Sequence, residues 1–179
     1  MLFAFVLLGD VQVELEDLKL HLGRVFPTRR FTVLRVSGLL QKAYSSFRGQ
    51  YDSTRILQLL EERTAGLKAD RILAITGVDL YADRLNFVFG EAQFPGRIAL
   101  ISLHRLKPAY YGERNGELFR SRVRKEAVHE LGHTFGLTHC PNPACVMHFS
   151  NSILDTDRKG ETPCTSCAER LRRYLIRAK

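Results

Sequence analysis

Residues 129–148, HELGHTFGLTHCPNPACVMH, decide how this chain folds, because His129, His133, His139, Glu130 and two cysteines crowd into one short run. His129 and His133 stand four positions apart. On a helix that spacing turns both imidazoles to one face, about one turn apart, so both can reach a single zinc ion at ~2.0–2.1 Å. Glu130 lies beside the first ligand and cannot easily share the ion, but its carboxylate can reach a water held there. It is the expected general base, taking a proton from that water and passing it to a leaving amine. Gly136 follows His133 by three residues and suits a helix that ends in a left-handed residue. The sharp turn it allows brings His139 round as a third nitrogen ligand. Three histidines leave a fourth position for water, which separates a catalytic from a structural zinc site. Histidines that merely cap or pair within a polar helix would have to match the full H-E-x-x-H-x-x-G-x-x-H pattern by accident.

All four cysteines fall in the last quarter of the chain, as Cys140-x4-Cys145 and Cys164-x2-Cys167, with 18 residues between the pairs. Short pairs present thiolates at the ~2.3 Å that tetrahedral zinc requires, with little loop strain. Two assignments compete. In one, the three histidines hold one ion and the four cysteines another; in the other, Cys140 joins the histidines and three cysteines remain. The first uses every cysteine and keeps an open catalytic position, and adjacent side chains on an extended turn point to opposite sides, so His139 and Cys140 can face different ions. The expected cofactors are therefore two zinc ions, one catalytic and one structural. Two disulfides suit a secreted chain better than this one, and a redox-active Cys164-Thr-Ser-Cys167 pair lacks the thioredoxin context of an early strand and helix. Pro163-Cys164-x-x-Cys167 also matches half of the nucleobase-deaminase signature, but the partner motif is H-x-E, and here His129 and Glu130 are contiguous.

Upstream, strand-like and helix-like runs alternate. Phe3–Leu8, Phe31–Val36, Arg71–Thr76, Leu85–Gly90 and Arg97–Leu103 have strand character. Helical spacing marks Val11–Phe26, the segment after Asp52 or Ser53, and Glu117–Leu137. Such alternation predicts an α/β (α+β) fold with a mostly parallel sheet and helices packed on it, and Asn86–Gly90 is the expected exposed edge. A chain of 179 residues, 45% hydrophobic, suits one domain spanning 1–179, divided into an N-terminal subdomain 1–137 and a C-terminal subdomain 138–179. The latter has little periodicity until a final helix near Ala168 and needs a staple. Met1–Leu8 is apolar but lacks a basic leader and a small-residue cleavage site, and eight residues cannot span a bilayer. A cytoplasmic protein with no membrane segment is expected.

With the extended histidine motif, Cys140-x4-Cys145-x-Met147 and the terminal Cys164-x-x-Cys167, the chain resembles the archaemetzincins, a family of metzincin-clan zinc metallopeptidases. The resemblance implies a metzincin-like zincin fold: a twisted, mostly parallel sheet with one antiparallel edge strand, a backing helix, an active-site helix and a small zinc-stapled C-terminal subdomain. It implies that Met147 is the Met-turn methionine, an apolar floor beneath the catalytic zinc, and that a peptide or protein substrate lies along a cleft beside an edge strand. The stretch from Met147 to Cys164 is one residue shorter than the family's usual spacing. A single deletion in an Asp- and Gly-containing loop leaves the ligands undisturbed.

The net charge of +8 keeps another class of function open, a zinc-stabilised binding module for nucleic acid. Its best support is Arg120, Arg122, Arg124 and Lys125, with Arg170, Arg172, Arg173, Arg177 and Lys179. The second group reads as the solvated face of a terminal amphipathic helix whose inward face is Leu171, Tyr174, Leu175 and Ala178. No stacking aromatics interleave either group, so nucleic acid is not the expected partner, and a monomer is. A catalytically weak protein with the peptidase fold is the other alternative. Tyr110, Tyr111, His148 and Tyr174 are the candidates for stabilising the oxyanion.

Overall fold

The structure is a computed structural model that describes residues 1–177; Ala178 and Lys179, assigned to the last helix from sequence, lie outside it. Chain order is β1 (Leu2–Leu8), α1 (Leu15–Val25), β2 (Arg30–Val36), β3 (Tyr44–Ser45), β4 (Gln50–Asp52), α2 (Ser53–Arg63), β5 (Arg71–Thr76), β6 (Leu80–Tyr81), β7 (Gly90–Ala92), β8 (Ile98–Ser102), α3 (Gly116–Thr134), α4 (Ile153–Arg158) and α5 (Thr165–Arg177). The main sheet has strand order β2-β1-β5-β8-β7; the first four are parallel and β7 is antiparallel to β8. β3, β4 and β6 form a small second sheet. The α/β class, the mostly parallel sheet and the antiparallel edge agree with the sequence.

Alternation along the strands sorts side chains into two cores. Phe3, Phe5 and Leu7 of β1, Leu73 and Ile75 of β5, and Ala99 and Ile101 of β8 face α1, α3 and the C-terminal segment. Ala4, Val6 and Leu8, with Ile72, Ala74, Ile98 and Leu100, face α2 on the other side. Because both faces are covered, β1 is a continuous apolar run rather than an alternating one. Cys145, Val146, Met147, Cys167 and Leu171 belong to the same core as α3, so the C-terminal segment shares the core of the sheet. Asp52 caps α2 by accepting from the Arg55 N–H at 3.0 Å, and Asn115 caps α3 by accepting from Leu118 at 3.0 Å.

Three elements differ from the sequence reading. The edge strand is Gly90–Ala92 and not Asn86–Gly90. The chain turns at Ala82–Leu85 with Arg84 at φ 61°, and the Asn86 carbonyl is taken by Arg48 and Gln50 side chains. Residues before Phe89 therefore make only an isolated bridge, Val88 with Leu80. The second departure is α5, which begins at Thr165, so Cys164 and Cys167 straddle its first turn. The third is α4, a short helix opened by a Ser152–Asp155 capping box inside the segment that showed no periodicity. Among the described residues no helix is long and apolar enough to cross a membrane.

The basic run on α3 is spent on ion pairs. Arg120 binds Glu14 and Glu117, Arg122 binds Asp157, and Arg124 binds Asp17, Glu117 and Glu161. Lys125 donates to the carbonyls of Thr156 and Asp157. These groups are committed inside the fold, which removes the main support for a nucleic-acid surface.

Candidate metal centre and active site

Helix α3 lies against β7 and β8 and carries His129, Glu130 and His133 on one face. Its end is set by Gly136, whose φ of 77° is left-handed, with its N–H on the His133 carbonyl and the Leu137 N–H on that of Gly132. The reversal delivers His139. Ligand atoms of His129, His133 and His139 all lie within 4.8 Å of one another, and the facing Nε2 atoms of His129 and His133 are 3.1 Å apart. Tetrahedral zinc with ~2.05 Å bonds spaces its nitrogen donors by roughly 3.3 Å, so the set fits that ion. The His129 Nδ1–H donates to the Val146 carbonyl at 2.8 Å and that of His133 to Leu137 at 2.7 Å, which leaves both Nε2 lone pairs aimed at the common point.

Desolvation favours the neutral, metal-binding form of the imidazoles, most strongly at buried His129 and half-buried His133, while His139 is exposed at the cleft. The His133 pKa falls to about 4, chiefly by desolvation, and those of His129 and His139 fall by desolvation together with the charge of Lys159. Glu130 is pushed well above the usual carboxylate range, first by burial and then by Glu126, whose carboxyl group it touches. On its other side β7 comes so close that a Cβ on Gly90 would sit 2.6 Å from the Glu130 Cγ and 2.7 Å from the Leu100 carbonyl oxygen. Met147 is fully buried under the helix, and its Sδ would lie 2.5 Å from a Cβ on Gly132.

The four cysteines form a second cluster, with every Sγ within 4.8 Å of the others and none in a disulfide. Cys140 Sγ and Cys164 Sγ are 3.8 Å apart, which matches the ~3.8 Å separation of thiolates around tetrahedral zinc. The Cys164 N–H donates to Cys145 Sγ at 3.2 Å. The Cys167 N–H, in the first turn of α5, leads the interactions that lower the Cys164 thiol to about 7. Burial pushes Cys145 and Cys167 up, so neither ionises readily without a cation among them. Cys140 thus stands with the other cysteines, away from the histidines. Its N–H binds the Met147 carbonyl at 2.9 Å and its carbonyl accepts from His148 Nδ1 at 2.8 Å, so the two clusters share one stretch of backbone.

The histidines and Glu130 lie in a cleft of about 640 Å³ beside β7. Phe94 stands edge-on to His133 and Phe149 packs on His139, forming half-exposed aromatic walls. None of the four oxyanion candidates lines this cleft. Tyr111 donates to the Arg105 carbonyl, Tyr110 meets His104 edge-on, Tyr174 accepts from Arg71, and His148 donates to the Cys140 carbonyl. Phe94, Glu126, Phe149 and Lys159, which do line it, escaped the sequence reading. Glu126 was detectable, one helical turn before Glu130. Phe149 and Lys159 sit in a segment without periodicity, where no local signal marks them.

Comparison with known proteins places these features in a family. The model of peptidase family M54 matches residues 3–173. An archaemetzincin of Pyrococcus furiosus is 50% identical over 136 residues, covering 75% of this chain and 71% of its own, and one of Methanocaldococcus jannaschii is 46% identical over 165 residues, covering 91% and 88%. The crystal structure of archaemetzincin from Methanopyrus kandleri superposes with a TM-score of 0.81 at 37% identity, over 98% of this chain and 96% of that one. That of the Archaeoglobus fulgidus protein complexed with malonate gives 0.80 at 38% identity, over 95% and 99%.

Two outcomes are expected from this geometry. Gly90→Ala forces its methyl into Glu130 and the Leu100 carbonyl, costing about 1–3 kcal/mol of stability by overpacking and lowering turnover. Denaturant titration and steady-state kinetics check both effects, and unchanged values in both would show that β7 does not confine Glu130. Separately, the His133 pKa drops from 6.5 to about 4 on folding, so the unfolded chain binds more protons between those values. His133 alone therefore costs metal-stripped protein nothing above pH 6.5 and an increasing share of its stability as pH falls toward about 4. Thermal melts of chelated parent and His133→Gln protein across that window separate this slope from the opposite one of Glu126 and Glu130, whose carboxyl pKa values are raised by burial.

Proposed function

The chain belongs to the archaemetzincins of peptidase family M54 and is a zinc metallopeptidase; from that premise we propose that His129, His133 and His139 hold the catalytic zinc, with Glu130 as general base. Cys140, Cys145, Cys164 and Cys167 hold a second, structural zinc, and Met147 is the apolar floor beneath the first site. One observation carries this reading: three imidazole donors converge within 4.8 Å in a cleft that also holds a buried glutamate.

Zinc in the histidine site supplies Lewis acidity, lowering the pKa of water and polarising the scissile carbonyl. The protein's own share falls to Glu130 and β7. Glu130 takes the proton of the attacking water and delivers it to the leaving nitrogen, and the burial that raises its proton affinity suits it to both transfers. Among the described residues β7 has a strand partner on one side only, which leaves its outer backbone groups for an extended peptide. The binding-module reading finds no comparable support.

We further propose one domain, with residues 1–137 and 138–179 as subdomains, supported by the core they share. A cytoplasmic monomer is the expected state, and the unbridged cysteines suit a reducing compartment.

Metal analysis of the purified protein is expected to give two zinc ions per chain, one easily chelated and one resistant. A single ion refutes the two-site scheme. Glu130→Gln should retain both ions and abolish peptide hydrolysis; turnover at the parent rate in that variant overturns the assignment of the base. Cys140→Ser or Cys167→Ser removes no catalytic group, yet loosening the backbone shared by the two sites should lower kcat/KM by about tenfold or more. Activity that survives loss of the resistant zinc would show the sites to be independent.

A further inference from the structure

Behind Glu130, α3 carries a second buried carboxyl group that the hydrolytic steps do not use. Glu126 stands one helical turn earlier on the same face, in contact with Glu130, and its Oε2 is buried without a hydrogen-bond partner. The cation facing it is Lys159, the residue that closes α4, with a side chain only 1% exposed. Its Nζ lies 3.8 Å from Glu126 Oε2, 3.4 Å from the His148 carbonyl oxygen and 3.5 Å from His129 Nδ1.

Lys125 shows what structural burial of an ammonium looks like where α3 meets α4. It donates to the carbonyls of Thr156 and Asp157 at 3.0 and 2.9 Å and faces no group of the active site. Lys159 has no acceptor that close. A buried charge without a short bond is costly, so its retention there calls for a use. Its surroundings name the use, since the side chain ends between a metal ligand and the carboxyl group that backs the base.

We propose that Lys159 and Glu126 are positioning residues for peptide hydrolysis: Lys159 holds the Glu126 carboxyl group against the back of Glu130, and Glu126 in turn sets the base toward the attacking water. The inference rests on the proposed role of Glu130. With Gly90 of β7 pressed on its other side, the Glu130 side chain is confined from both directions. Neither positioning residue touches the substrate. Their effect on rate runs through Glu130.

The test uses full-length, zinc-loaded protein with Glu126→Gln, Lys159→Met and Lys159→Arg, and Lys125→Met as the structural control. Zinc content, kcat and KM are measured. So is calorimetric affinity for a peptide hydroxamate, whose N–H and O–H can meet the base, against a peptide thiol, which needs only the metal. Glu126→Gln and Lys159→Met should keep both zinc ions and a KM within about twofold, while kcat falls about tenfold or more. Hydroxamate affinity should fall with kcat and thiol affinity should not. Lys159→Arg should recover part of the loss, and Lys125→Met should lack the hydroxamate effect. In a Glu130→Gln background, adding Glu126→Gln should change hydroxamate affinity no further. Unchanged kcat and hydroxamate affinity overturn the proposal, as does an equal loss for both ligands or a loss of zinc in step with kcat. If Lys159→Met does not fold, Glu126→Gln and Lys159→Arg carry the same comparison. Failure of the Glu130 assignment is a separate result, read from turnover in Glu130→Gln alone.

Discussion

Burying a polar helix is the constraint on which the rest of this structure depends. α3 takes Arg122, Lys125, Glu126, His129 and Glu130 out of water, and each such group needs a partner or the helix is unstable where it lies. The partners come from the segment that follows. Asp157 meets the Arg122 guanidinium with two bonds of 2.7 Å, the Thr156 and Asp157 carbonyls receive Lys125, Lys159 faces Glu126, and the Val146 carbonyl receives His129. The short α4, invisible to periodicity, exists where it does because it is the polar complement of α3. The catalytic face and the C-terminal segment therefore form together.

That dependence gives the four-cysteine cluster beside the histidines a structural task. The stretch after Gly136 buries few apolar side chains of its own, chiefly Cys145, Val146, Met147, Cys167 and Leu171. In zinc-finger peptides structural zinc is worth on the order of 10–16 kcal/mol, against about 1.5–3 kcal/mol for each fully buried Val, Leu or Met side chain. An ion held at Cys140 would also secure the two bonds made by the Cys140 backbone, its N–H to the Met147 carbonyl and its carbonyl from the His148 imidazole, one residue from the third histidine. Ordering the thiolates and ordering His139 become one event.

Much of this was legible because the deciding signals are local. The four-residue spacing of His129 and His133, the glycine at 136 and the paired cysteines are short-range patterns, and the structure groups them as two clusters. The apolar runs of β1, β5 and β8 were equally plain because burial on both faces leaves no polar interruptions. What failed was set by distant partners. Leu85–Phe89 has strand composition, yet Arg48 and Gln50 claim the Asn86 carbonyl and delay pairing until Gly90. Lys159 looks like any loop lysine until α3 is folded against it. The tyrosines proposed as oxyanion donors have the right chemistry in the wrong place, bound to Arg105 and Arg71.

Two glycines show how closely the site is built. Glycine inside a helix costs roughly 1 kcal/mol relative to alanine, and Gly132 sits in the last turns of α3 between His129 and His133. A side chain there would collide with Met147, so the helix gives up propensity to let the methionine lie beneath the histidines. Gly90 serves the opposite wall, where β7 can reach Glu130 only because it has no Cβ. The glycine of H-E-L-G-H is therefore a packing requirement on the metal face, and its partner is a methionine fifteen residues away in sequence. The motif is two contacts wide as well as eleven residues long, and Gly90, the half of it that lies on β7, is outside any local pattern.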